Sequence, residues 1–138
     1  ELGDEQAALT HWHRAAELDP YYAAPRRNIG IVHAQAGRYM EAIQALEQVL
    51  VLEPTQADVY FKIAQAYQYG LGQPGQALRY WEGGIGQAED AADAYLQLIQ
   101  AYGALGQLEE LRRWIDRFVG LFPAHPHRSA LQRMQEGL

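Results

Sequence analysis

Residues 37–54 read GRYMEAIQALEQVLVLEP, a single amphipathic phrase with a glycine at its head and a proline at its end. Ala42, Ala45, Leu46, Val49 and Leu50 recur at helical spacing and form one apolar face. Gly37 and Pro54 punctuate the two ends. The same phrase occurs upstream as GDEQAALTHWHRAAELDP, residues 3–20. Gly3 and Gly37, Ala8 and Ala42, and Pro20 and Pro54 each stand 34 residues apart. A fixed period of that size marks an array of repeated supersecondary units.

Working outward, the pattern predicts a helix over 23–36, with Pro25 in its first turn, where a missing N–H is harmless. Ile29, Gly30, Val32 and His33 should face its partner, His33 as a packed core residue. Downstream, Tyr60, Ile63, Ala64 and Tyr67 share a face of a helix over 57–69. The next turn glycine, Gly72, lies 35 residues beyond Gly37, so the turn is expected to be one residue longer there. A helix over 75–87 carries Ala77, Leu78, Trp81 and Ile85, but also Gly83, Gly84 and Gly86. Each interior glycine costs ~1 kcal/mol relative to Ala, which predicts the least rigid helix of the array. The last full unit keeps step: Gly106 follows Gly72 by 34 residues. Tyr95, Leu98, Ile99 and Tyr102 form one of its faces, and Leu108, Leu111, Ile115, Phe118 and Val119 the other. The tail over 126–136 is helical, with Ala130, Leu131 and Met134 in a narrow stripe, as a capping helix requires.

These landmarks resemble the tetratricopeptide repeat, a helix–turn–helix unit of 34 residues. One unit supplies Ile29, Gly30, His33, Gly37, Tyr39, Ala42, Leu46, Val49 and Pro54. The next supplies Tyr60, Ile63, Ala64, Tyr67, Gly72, Ala77, Trp81 and Gly84. Arg26, Glu89, Ile99 and Leu111 depart from the family pattern. The resemblance implies an all-α, right-handed α-solenoid of stacked units in one domain over 1–138. We divide it into the second helix of a truncated repeat (1–20), repeats over 21–54, 55–89 (with a one-residue insertion) and 90–123, and a capping helix over 124–138. Glu1, Leu2 and Gly3 fall where an inter-helix turn belongs, so further repeats are expected upstream.

The family likeness further implies a concave groove, lined by the first helix of each unit, that binds a peptide segment of a partner protein. Positions one period apart form ladders across that face: Asn28, Lys62, Gln97; Ile31, Gln65, Gln100; Gln35, Tyr69, Ala104. Arg27, Phe61, Leu96, Asp58, Asp93 and Gln68 flank them. Side-chain amides both donate and accept, which suits them to a peptide backbone, and Tyr69 and Phe61 suit an apolar anchor. Glutamine is also a good exposed helix former, so any one of them reads equally well as a solvated face. A groove that clamps a terminal carboxylate needs a second cation where Asp58 stands, which argues against that version.

Composition narrows the rest. Hydrophobic residues make up 49% and charged residues 20% of 138, the balance of a globular chain. A net charge of −6 argues against a nucleic-acid footprint. No apolar run is long enough for a membrane span, so no membrane insertion is expected. There is no cysteine, and Ser129, Thr10 and Thr55 sit in no nucleophile motif, so an enzyme is not expected. The absence of cysteine suits cytoplasm and periplasm alike. Arginine heavily outnumbers lysine, of which Lys62 is the sole example, a bias of GC-rich bacterial genomes. Gly70-Leu71-Gly72-Gln73-Pro74-Gly75 matches G-x-G-x-x-G, but a helix precedes it, so it reads as a turn rather than a dinucleotide loop. His11 and His13 point to different helix faces, and His125 and His127 lack a third ligand, so neither metal nor cofactor is expected. The rival to peptide binding is self-association into a homodimer through the terminal helices, around Leu9, Trp12 and Ala16.

Overall fold

The computed structural model describes residues 2–138. Its elements are α1 (Leu2–Leu18), α2 (Ala24–Gln35), α3 (Tyr39–Leu52), α4 (Ala57–Gln65), α5 (Pro74–Gln87), α6 (Ala92–Ala104), α7 (Leu108–Leu121) and α8 (Arg128–Glu136). A π-helical turn, Ala66–Gly70, prolongs α4. Each helix packs on the next along the chain, which makes an all-α solenoid of helical hairpins. None of the described helices is long and apolar enough to cross a membrane.

The period is written into the turns. Gly37, Gly72 and Gly106 all adopt left-handed backbone, with φ of 78°, 64° and 67°. A side chain would be strained there, which is why the glycine recurs. In the second and fourth units the turn closes with a hydrogen bond across five residues, Arg38 N to His33 O and Gln107 N to Tyr102 O. In the third it spans six, Gln73 N to Tyr67 O at 2.8 Å. The turn itself is no longer than the others. The extra residue lies inside the helix, where Leu71 N reaches Ala66 O at 2.9 Å in the five-residue step of a π turn. The expectation of a longer turn is thus corrected.

Between the helices of each hairpin, small residues admit large ones. A Cβ on Gly30 would lie 2.6 Å from Leu46 Cγ, so α2 and α3 meet closely there. Gly83 and Gly84 play the same part between α5 and α4: a Cβ would come within 2.8 Å of the Tyr60 ring and 2.3 Å of the Phe61 ring. These two glycines are sites of close packing, whereas Gly86 meets open space. The larger residues Ile99 and Leu111 are absorbed, each at 4% exposure. Arg26, which departs from the repeat pattern, ties the α1–α2 connection, donating to Pro20 O at 2.9 Å and to Gln48 Oε1 at 3.0 Å.

Three expectations need correction. Gly3 is helical, within α1, and makes no turn, while Glu1 lies outside the described residues. His33 is only half-buried, and its Nδ1 accepts from Arg38 Nε at 2.8 Å instead of packing in the core. In α8 the apolar stripe is mostly exposed, since Ala130 and Met134 face solvent and only Leu131, joined by Leu138, packs on the core.

A second regularity runs through the other helices. Glu47, Glu82 and Asp116 occupy one place in successive units, and each accepts a bond from the unit that follows. Tyr80 Oη donates to Glu47 Oε1 at 2.5 Å, Tyr102 Oη to Glu82, and Gln135 Nε2 to Asp116. These bonds tie neighbouring hairpins where apolar contact alone would let them slide.

Candidate functional site

The helices α2, α4 and α6 lie side by side as the first helices of their units, and two cavities open along them. The first, about 520 Å³, lies between α2 and α4 over a floor of Leu46, Tyr39 and Ala66. Ile31, Gln35, Lys62, Gln65, Tyr69 and Gln97 stand around it, all of them expected from the period. The second, about 610 Å³, lies between α4 and α6 and takes Phe61, Gln65, Asp93 and Gln97 from the expected set, with Trp81 and Asp90. Gln65 and Gln97 border both, so the two form one interrupted groove.

The π turn shapes the first cavity. Gly70 lies directly under the Tyr39 ring, where a Cβ would meet ring atoms at 2.5 Å. The tyrosine can therefore lie flat against the end of α4 and form part of the floor. Tyr69 is 55% exposed and its hydroxyl crosses to α6, where it bonds Gln97 and lies 3.3 Å from Gln100 Oε1. Partial burial pushes its phenol pKa upward.

Charge is concentrated at the α2–α4 rim. Arg27 Nη1 donates to Asp58 Oδ2 at 2.5 Å and Arg27 Nη2 to Gln56 Oε1 at 3.1 Å. Lys62 Nζ approaches the same Asp58 oxygen at 3.3 Å. Partial burial pushes the Asp58 carboxyl up, but Arg27 and then Lys62 outweigh it and hold the group below its usual range. Two cations thus share one carboxylate.

Some expected residues lie elsewhere. Gln68 turns toward α5 and accepts from Trp81 Nε1 at 2.7 Å, lining neither cavity. Asn28 is half-buried on α2 and also lines neither. Gln100 stays exposed at the rim beside Tyr69. Sequence reasoning missed Trp81, Asp90 and Tyr39 as groove walls. The only signal for Tyr39 was the odd 35-residue interval, which places Gly70 beneath it.

The sequence matches the TPR repeat over residues 32–70 and the tetratricopeptide repeat over residues 58–104, so the matches together span more than half of the chain. No curated protein matches it in sequence. Among solved structures it is similar to MamA from Desulfovibrio magneticus RS-1, at 25% identity and a TM-score of 0.72, covering 97% of this chain and 77% of that one. It is also similar to YrrB, described as a TPR protein with an unusual peptide-binding site, at 22% identity and a TM-score of 0.73, over 98% of this chain and 71% of that one. A further likeness is to the first TPR of Spaghetti (RPAP3), solved bound to the HSP90 peptide SRMEEVD, at 22% identity and a TM-score of 0.63, over 83% of this chain and 93% of that one.

Proposed function

Because this chain belongs to the tetratricopeptide repeat family, we propose that it is a protein-interaction scaffold holding a peptide segment of a partner along α2, α4 and α6. The observation that carries this reading is the pair of adjoining cavities on that face, separated by Gln65 and Gln97. Their walls offer what an extended peptide needs: amides for its backbone and the rings of Tyr69 and Phe61 for its apolar side chains. Two of the structural neighbours are described as binding peptides, which agrees with this use of the fold. Fold likeness by itself does not select a partner.

The test is capture from lysate by the chain and by the double variant Lys62→Glu, Tyr69→Ala. Proteins retained by the unaltered chain and lost by the variant place binding in the groove. An identical set on both removes the groove as the site. A second reading, self-association through the terminal helices, draws on α1, where Leu9, Trp12 and Ala16 are only half-buried and Leu18 is 73% exposed. A mass that doubles with concentration in light scattering, and returns to the monomer value on Trp12→Glu, would select it.

A further inference from the structure

The extra residue of the third unit can be located. Before its turn glycine that unit reads Tyr67-Gln68-Tyr69-Gly70-Leu71-Gly72, and the fourth reads Tyr102-Gly103-Ala104-Leu105-Gly106. With either Gln68 or Tyr69 removed the two strings align as tyrosine, a variable residue, a small residue, leucine and glycine. The surplus residue therefore falls within the stretch Gln68-Tyr69-Gly70, and the π turn is what allows a helix to contain it. Single π turns inside α-helices are uncommon and recur at functional sites. Within that turn Tyr69 spans from the end of α4 to α6 and lines the first cavity.

The charges around the groove are unevenly placed. Lys62 is the one charged side chain lining the Tyr69 cavity, and with Arg27 and Asp58 it leaves one net positive charge at that rim. The neighbouring cavity carries Asp90 and Asp93 instead. We infer, building on the groove reading above, that the π turn makes a specificity pocket for one kind of segment. That segment inserts a bulky apolar side chain, Leu, Phe or Trp, beside Tyr69. It places a carboxylate next to it on Lys62 and a cationic side chain further along at Asp90 and Asp93. The floor of Leu46, Tyr39 and Ala66 selects the apolar group. The opposed charges fix which way the segment lies.

The experiment is selection of a displayed library of random peptides on the 138-residue chain, followed by calorimetric titration of a synthetic copy of an enriched peptide. Enriched sequences are expected to share an apolar–acidic pair with Lys or Arg further along. Deletion of Tyr69 should weaken the peptide by roughly tenfold or more, and Ala34→Phe, which fills the cavity without shortening the chain, should do the same. Lys62→Glu should reverse the preference from Asp or Glu to Lys or Arg beside the apolar residue. Because Lys62 is the only lysine, bound peptide should also shield it from an amine acylating reagent. Circular dichroism of each variant confirms that the helices persist. Enriched peptides without this pattern, or unweakened by both pocket variants, overturn the inference. If such peptides still lose binding on Gln65→Ala with Gln97→Ala, the groove reading stands without the pocket. If no peptide is enriched, or no groove variant weakens one, both readings fall.

Discussion

At the scale of single residues, three buried tyrosines separate two kinds of polar burial. Tyr80 and Tyr102 donate hydrogen bonds to Glu47 and Glu82, whereas the Tyr95 hydroxyl is buried with no hydrogen-bond partner among the described residues. A satisfied hydroxyl contributes about 1 kcal/mol and an orphaned one costs a comparable amount. Tyr80→Phe should therefore lower stability by about 1 kcal/mol, and Tyr95→Phe should leave it unchanged or raise it, as read by urea denaturation. Burial, and then the bond to Glu47, push the Tyr80 phenol up to about 12 from its ordinary 10.0. A raised pKa in the folded state means the neutral form is favoured. Its contribution is complete below pH 10 and disappears as pH climbs toward 12. Melting temperatures followed across that window should fall less steeply for Tyr80→Phe than for the unaltered chain.

At the scale of elements, α5 shows where sequence reading succeeds and where it stops. Its span to within one residue and the inward Trp81 and Ile85 followed from period and apolar spacing, while Pro74 at its start did not. The meaning of its glycines did not, because propensity records only what a glycine costs its own helix. Gly84 accommodates the Phe61 ring, which itself stacks on Trp81 at 5.9 Å. Gly84→Ala should destabilise by ~1–3 kcal/mol through overpacking, while Gly86→Ala should stabilise by about 0.5–1 kcal/mol, both measured by thermal and chemical unfolding. Equal effects at the two positions would contradict the packing assigned here. The π turn was equally hidden, since one surplus residue reads the same in a lengthened turn as in an overfilled helix. Most ladder residues do line the two cavities, because period fixes which face a residue shares. They could not say that Gln68 would turn to Trp81 or that Arg27 would engage Asp58, because those depend on side-chain partners in other units.

At the scale of the whole molecule, a solenoid has local neighbours only, so its stability is distributed unit by unit. The helices α5 and α6 each hold five or more buried residues, whereas neither residues 3–18 of α1 nor α8 holds one. Amide exchange followed by mass spectrometry should be slowest in α5 and α6 and fastest in α1 and α8. Acid should widen that difference. Burial, then Arg38, hold the His33 imidazole below its ordinary 6.5, with Glu41 and Glu5 pulling the other way and His13 reinforcing the shift. A lowered pKa means that the neutral ring contributes fully above pH 6.5 and less as pH falls through the depressed value. Arg38 bonds both His33 and Glu5, so protonation of the ring repels the residue that fastens α1 to the α2–α3 turn. After division by the intrinsic rate, which itself slows as pH falls, protection in α1 should drop on acidification, and His33→Gln should remove that drop.

The acidic residues repeated at 47, 82 and 116 also decide how the molecule would behave under load. Each joint from α3 onward carries a polar tie across it, but the corresponding place in α1 holds His13 in place of a carboxylate. Tension applied at the two ends would then meet couplings of unequal strength. The seam beside α1, held by the partly exposed Arg38–Glu5 pair in place of a buried tyrosine's bond, would part first, and the face formed by α2, α4 and α6 would stay whole after the first extension step. A partner held there could be pulled upon without being released.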